Sequence, residues 1–311
     1  MAALYLVDAS IYIFQAHFSP HAQVWSRRAE DRSAFVGFLR FLLRFVQTTQ
    51  KPEPAPLAVA FDESLQSGFR HRLYPDYKSN RVLPDDNLAR QLAACARLCE
   101  VLGVTAFGSQ EYEADDIIGT LAVSCAAQDT SRHLAIVSRD KDLSQLLAGA
   151  EDYVWDFYGG VRRKRDDLHA LMGIWPEQFP CFLGLTGDSI DCIPGVPGIG
   201  PVAARQLLQR FGNLDTLYEQ LSDVPGLTMR GAARCAALLA QYCDAAMLSR
   251  QLATIVRQAP VTEAFASCSI ADLWPRSPDL DAFELLLREM ELTDDDIRRF
   301  CGQASQLPGT R

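Results

Sequence analysis

Glu113, Asp115 and Asp116 crowd into four residues of EYEADDIIGT, directly ahead of the apolar Ile117, Ile118 and Leu121. More acids follow short apolar runs. Asp8 closes LYLVD, Asp62 closes AVAFD, and Asp140 and Asp142 come straight after HLAIVS. Asp188 and Asp191 stand three apart in the Gly-bearing loop LTGDSID. Singly, each has an ordinary explanation as a helix N-cap favoured by the macrodipole, or as an Asx-type turn. Five segments converging on one place need another. Like charges about 4 Å apart cost on the order of 4 kcal/mol per pair at an effective dielectric of about 20. Divalent cations remove that cost, and oxygen-only ligation without His or Cys selects Mg²⁺ or Mn²⁺ over zinc.

Other chemistries find less support. The five histidines, at 17, 21, 71, 133 and 169, show no ligand or triad spacing, and neither GxSxG nor a P-loop occurs. Nine cysteines without a CxxC pair argue for reduced thiols and a cytoplasmic protein. Cys95 and Cys99, four apart on a helix, read as core. No apolar run reaches the roughly 18 residues of a membrane span. The start, MAALYLVDAS, reads as a strand rather than a leader.

A net charge of −9 argues against nucleic acid only superficially. With the nine site acids set aside, the remaining 30 equal the 30 Lys and Arg. FRHRLYPDYKSNR (69–81) carries Arg70, Arg72, Lys78 and Arg81 among Phe69, Tyr74 and Tyr77. Cations beside aromatic rings suit single-stranded nucleic acid, with charge on the backbone and rings on the bases. VRRKR (161–165) reads as a solvated turn.

These residues need a scaffold. The runs 3–7, 56–61 and 133–138, with weaker ones at 104–107 and 153–157, read as strands covered on both faces. Helical patterns at 31–47, 85–102, 113–127 and 141–148 alternate with them. The fold class is therefore α/β, with a mostly parallel sheet flanked by helices. In such sheets ligands bind at the carboxyl edge, where Asp8, Asp62, Asp140 and Asp142 fall. On the helix from 113, Ile117, Ile118, Leu121, Ala122 and Cys125 form the buried stripe. Glu113 and Asp115 lie at its margins and Asp116 faces away. From residue 175 to 311 the pattern is all helical, ending in a frayed QLPGTR. Within it, IPGVPGIGPVAARQLLQRFG (193–212) places Gly195, Gly198 and Gly200 ahead of a Pro-initiated helix, a backbone suited to phosphate.

Taken together in this order, YLVDAS, FRHRLYPDYKSNR, EYEADDIIG, SRDKDLSQLL and LTGDSIDCIPGVPGIGPVAARQLL resemble the structure-specific 5′-nuclease family. Its relatives include the 5′→3′ exonuclease domain of bacterial DNA polymerase I, phage 5′-exonucleases and flap endonucleases. The resemblance covers about residues 3–250, and with no polymerase following, a stand-alone bacterial-type enzyme is expected. It implies a PIN-like, resolvase-like nuclease core at 1–174 with a helical arch at about 63–90, and a helix-three-turn-helix part at 175–311. It assigns Asp8, Asp62, Glu113, Asp115 and Asp116 to one metal and Asp140, Asp142, Asp188 and Asp191 to a second. Lys78 is implied near the scissile phosphate, with Arg70, Arg72, Tyr77, Arg81 and the glycine hairpin on DNA. A K⁺ on backbone carbonyls, those of Val196 and Ile199, is also implied. Gln15 stands where many relatives carry Arg. The implied activity is 5′→3′ exonuclease and flap cleavage of DNA by a monomer, leaving 5′-phosphates. A DNA-junction binding module and a PIN-like ribonuclease are the alternatives.

Overall fold

The computed structural model describes residues 2–308 except Ala22 and Leu65, so the last three residues of QLPGTR lie outside the described residues. Six strands form one sheet: β1 (Ala3–Asp8), β2 (Leu57–Asp62), β3 (Thr105–Ser109), β4 (His133–Val137), β5 (Tyr153–Asp156) and β6 (Val161–Lys164). Their order is β3-β2-β1-β4-β5-β6. Every neighbouring pair is parallel except β5 with β6. Asp8 pairs with Ala60 and Asp62 with Ser109, so both acids sit at the carboxyl edge.

Strand β6 corrects the expectation of a turn at VRRKR. All four of its residues are exposed, so no apolar alternation marks it. Pairing with β5 and the stacking of Arg162 over Trp155, 4.2 Å from the ring centre, hold it in place.

Six helices belong with the strands: α1 (Ala9–His17), α2 (Ser33–Thr49), α3 (Phe69–Leu73), α4 (Asp86–Val101), α5 (Ala114–Gln128) and α6 (Arg165–Met172). The pattern at 141–148 yields only a 3-10 turn, Asp142–Leu146. Among the described residues the arch region is mostly turn and extended chain, with α3 and the start of α4 its helical pieces. It is a strap more than a pair of long helices. On one sheet face α2 contributes Phe35, Phe38, Phe41 and Phe45, all fully buried, and Tyr12 stacks on Phe41 at 3.6 Å. On the other face α5 buries the expected stripe of Ile117, Ile118, Leu121, Ala122 and Cys125.

Beyond residue 175 come α7 (Phe179–Thr186), α8 (Pro201–Phe211), α9 (Leu214–Glu219), α10 (Ala232–Gln241), α11 (Cys243–Ala253), α12 (Leu280–Glu289) and α13 (Asp294–Ala304). Helices α7 to α11 build their own core around Leu185, Leu207, Leu214 and Leu239. The segment 175–311 is nevertheless not one unit. Helices α12 and α13 return to the first core, where Phe283, Leu286 and Phe300 pack with α2 and α4. Arg32, buried, ties them there through a hydrogen bond from Nε to the Met290 carbonyl at 3.0 Å.

Candidate metal and phosphate site

At the carboxyl edge of the sheet a cavity of about 590 Å³ gathers Asp8, Asp62, Glu113, Asp115, Asp140, Asp142 and Asp191. Strands β1 and β2 end in the first two. Glu113 is the N-cap of α5, Asp115 lies in its first turn, and Asp140 and Asp142 follow β4. Two serines knit the cluster. Ser10 donates its amide to Asp8 at 3.0 Å and its hydroxyl to Asp62 at 3.2 Å. The Ser138 hydroxyl donates to Asp8 at 2.9 Å and accepts from the Asp140 amide at 3.0 Å. Neither serine was picked out from the sequence, although YLVDAS and AIVSRD place each within two residues of an acid.

Electrostatics divide the acids. Burial, then the charge of Asp62, pushes Asp8 up to about 7. Burial, then Asp140, pushes Asp142 up to about 8. Burial with Asp140 and Asp8 raises Asp115 well above the usual carboxylate range, and burial with Glu113 raises Asp62. Glu113 goes the other way. Burial works against its charge, but the Lys78 ammonium and Arg70 guanidinium outweigh it and hold Glu113 at about 2. The pocket thus carries more carboxylate than local cations can balance. Asp142 Oδ1 is buried without a hydrogen-bond partner. An all-oxygen donor set with excess negative charge and an orphaned buried oxygen fits hard divalent cations. Among the described residues no three side chains are drawn into one ligand set. Mutual repulsion and nearby serines, amides and cations turn the carboxylates toward other partners.

Two predicted ligands lie elsewhere. Asp116 does not face away from the core but is fully buried. Arg70 Nη1 and Nη2 donate to its two oxygens at 2.5 and 2.8 Å, and the Val256 amide donates at 2.8 Å. Asp188 also stands off the cavity, where its side chain accepts from the Ile190 amide at 2.8 Å, the Asx turn that its spacing allows.

The strap divides similarly. Arg70 spends the rest of its five N–H groups on Glu113 and on the Leu252 and Thr254 carbonyls, leaving none for DNA. Tyr77 is 3% exposed, so no ring face is open for a base, and its hydroxyl donates to Glu113 at 3.1 Å. Arg72 pairs with Glu111 outside the cavity. Lys78 and Arg81 do line it. Lys78, in the left-handed region at φ 52°, donates Nζ to Glu113 at 2.7 Å. Burial opposes its charge, but Glu113 foremost keeps its pKa well above the usual lysine value. Arg81 donates to Asp191 at 2.8 Å. Gln15 lines the cavity without charge.

In the hairpin between α7 and α8, Gly195 (φ 62°) is buried, and a Cβ there would sit 2.2 Å from the Gly187 nitrogen. Its amide donates to Ser249 at 2.9 Å, so Gly195 shapes the turn instead of facing a ligand. Gly198 and Gly200 are exposed, the latter at the N-cap of α8. The Val196 carbonyl accepts from the Ile199 amide at 3.0 Å.

A mostly parallel sheet with an acidic carboxyl edge, a basic strap and a helical hairpin part defines the resolvase-like nuclease fold. The chain aligns with the bacteriophage T5 flap endonuclease solved with DNA and metal ions at TM-score 0.62 and 17% identity, covering 98% of this chain and 100% of that one. It aligns with the catalytic core of Rad2 in complex with DNA substrate at TM-score 0.60 and 16% identity, covering 97% and 92%. Residues 3–169 match the family model for the 5′-3′ exonuclease N-terminal resolvase-like domain, and 174–275 that for the C-terminal SAM fold. The chain belongs to the 5′-3′ exonuclease family. It is 36% identical over 308 residues to DNA polymerase I of Pseudomonas aeruginosa, covering 98% of this chain and 32% of that protein. It is 31% identical to the 5′-3′ exonuclease of Buchnera aphidicola, covering 82% and 87%, and 35% identical to flap endonuclease Xni of Pectobacterium carotovorum, covering 67% and 77%. The chain thus spans about a third of that DNA polymerase I. Among the described residues no helix is long and apolar enough to cross a membrane.

Proposed function

We propose that this chain is a divalent-metal-dependent 5′-nuclease that acts on DNA 5′ ends, flaps and junctions in replication and repair and leaves 5′-phosphate products. The observation that carries this reading is the cavity where seven acids, under-compensated and holding an orphaned oxygen, face Lys78 and Arg81. Asp8, Asp62, Glu113 and Asp115 would hold one Mg²⁺ or Mn²⁺, and Asp140, Asp142 and Asp191 a second. Bound there, two such ions supply an activated water and neutralise charge on the attacking and leaving oxygens.

The chain's own groups do the rest. Lys78 holds an ammonium against the carboxylates, on the wall from which a phosphate can be met by the opposite charge. Arg81, half exposed, can swing from Asp191 to the strand. Gly198, Gly200 and the first turn of α8 present backbone to duplex phosphates, and the Val196 and Ile199 carbonyls would hold a K⁺ that adds positive charge there. The reading places the protein in the cytoplasm, supported by its free thiols, and takes it to act as a monomer.

The test is a panel of 5′-flap, nicked and single-stranded DNA with matched RNA, incubated with purified protein in Mg²⁺ and in EDTA. Metal-dependent DNA cleavage near the 5′ end is expected. Tight junction binding without cleavage would favour the binding-module alternative, and preferential RNA cleavage the ribonuclease.

A further inference from the structure

The cavity is lined by four cations, and three are engaged. Arg70 has every N–H committed, Lys78 is held by Glu113, and Arg81 by Asp191. Arg139 differs. It follows Ser138 and precedes Asp140 where β4 leaves the sheet, and its side chain is 53% exposed. Its acidic neighbour is Asp156, 3.5 Å from Nε in an ion pair that makes no hydrogen bond. Asp156 itself is engaged in the β5–β6 turn, accepting from the Gly159 amide at 3.0 Å. Among the described residues the two terminal nitrogens of Arg139 have no acceptor, so its planar fork is open. The wall from α1 and its C-cap (Ser10, Ile11, Phe14, Gln15 and Phe18) brings no charge.

We infer that Arg139 is a strand-binding residue that grips a phosphodiester of the strand being cut, on the β4–β5 side of the cavity. Lys78 and Arg81 reach the strand from the strap between β2 and α4, so Arg139 meets a different phosphate. The exchange favours DNA, because a half-exposed ion pair contributes little while a guanidinium fork binds phosphate through two charge-assisted hydrogen bonds. Two phosphates are then held from two walls of the cavity, and the second grip adds affinity to the ground state and the transition state alike. This rests on the proposed nuclease reading.

The test compares wild type, Arg139→Gln and Arg139→Lys. Flap-duplex binding is followed by fluorescence anisotropy in Ca²⁺ over a salt series, and single-turnover cleavage is followed in Mg²⁺. Arg139→Gln should bind roughly tenfold more weakly. Its plot of log affinity against log salt should be shallower by about 0.7 to 0.9, the signature of one lost phosphate contact. Its saturating cleavage rate should stay near wild type, because ground state and transition state lose the contact alike. Arg139→Lys should regain the slope and part of the affinity. Wild-type affinity and slope in Arg139→Gln would overturn the inference. So would a lost saturating rate with intact affinity, or a lysine variant no better than glutamine. A wild type that binds without cleaving would sink the nuclease reading, while the salt series would still judge Arg139.

Discussion

Lys78 Nζ donates to Glu113 Oε1 at 2.7 Å, tying the strap to the N-cap of α5. The pair explains why Glu113, alone of the shifted acids lining the cavity, is held low while Asp8, Asp62, Asp115 and Asp142 are pushed up. It also places a buried ammonium beside the carboxylates before substrate arrives.

Lys78→Ala should slow saturating single-turnover cleavage by about a hundredfold, the cost of removing one pre-oriented charge from a transition state. Binding in Ca²⁺ should change only severalfold. Should binding collapse while the saturating rate survives, Lys78 would be a tether and nothing more.

Asp116 and Arg70 make the opposite kind of pair, closed to solvent and satisfied on both sides. Removing one partner leaves a buried charge without its counter-charge, which costs on the order of 3 kcal/mol. Asp116→Asn should therefore lower the melting temperature in EDTA. Asp142→Asn should raise it, because Asp142 sits among like charges with an unpartnered oxygen. Equal shifts of the same sign in the two variants would refute the distinction.

Metal-free stability should depend on pH in a definite sense. Asp8 and Asp142 keep protons in the folded protein, up to about 7 and about 8, that the unfolded chain releases near about 4. Their contribution is complete below the unfolded value and is lost as pH rises through the folded ones. Glu113 acts oppositely, stabilising above its unfolded value and losing that stabilisation as pH falls toward about 2. Thermal melts in EDTA should thus show stability falling between about pH 5 and pH 8, with saturating Mg²⁺ flattening the decline. A rise over that window without metal would contradict the carboxylate arrangement.

Gly200 offers a clean probe of the hairpin. A Cβ there meets nothing within 4 Å, so Gly200→Ala should lower the melting temperature only slightly, by the small cost of Ala for Gly at a helix N-cap. If backbone at the α8 N-terminus approaches duplex phosphate, the methyl should weaken duplex binding and spare short single strands. Equal binding of duplex by both proteins would remove Gly200 from the interface.

Most of the fold was legible because its strands are apolar runs closed by acids, and LYLVD, AVAFD and HLAIVS each landed at the carboxyl edge as read. The misses have physical causes. Strand β6 is exposed throughout, so only its pairing reveals it. An amphipathic helix does not record which core it covers, and α12 and α13 could be placed only once Phe283 and Phe300 were seen beside α2. Within the site, Asp115 and Asp116 are neighbours of identical chemistry, yet one lines the cavity and the other is claimed by Arg70. A basic, aromatic segment such as 69–81 reads as a nucleic-acid contact whether its side chains point outward or, like Arg70 and Tyr77, hold the strap down.

The central claim is that the acids at this edge carry metal-dependent hydrolysis of DNA, and single-turnover cleavage of a labelled 5′-flap duplex by wild type and Asp142→Asn tests it most directly. Wild type should cut in Mg²⁺ and not in EDTA, leaving a 5′-phosphate on the shortened strand, while Asp142→Asn stays folded, binds the duplex in Ca²⁺ and does not cut at any Mg²⁺ concentration. Wild-type cleavage that persists in EDTA, or an Asp142→Asn protein that cuts at the wild-type rate in saturating Mg²⁺, would contradict the account.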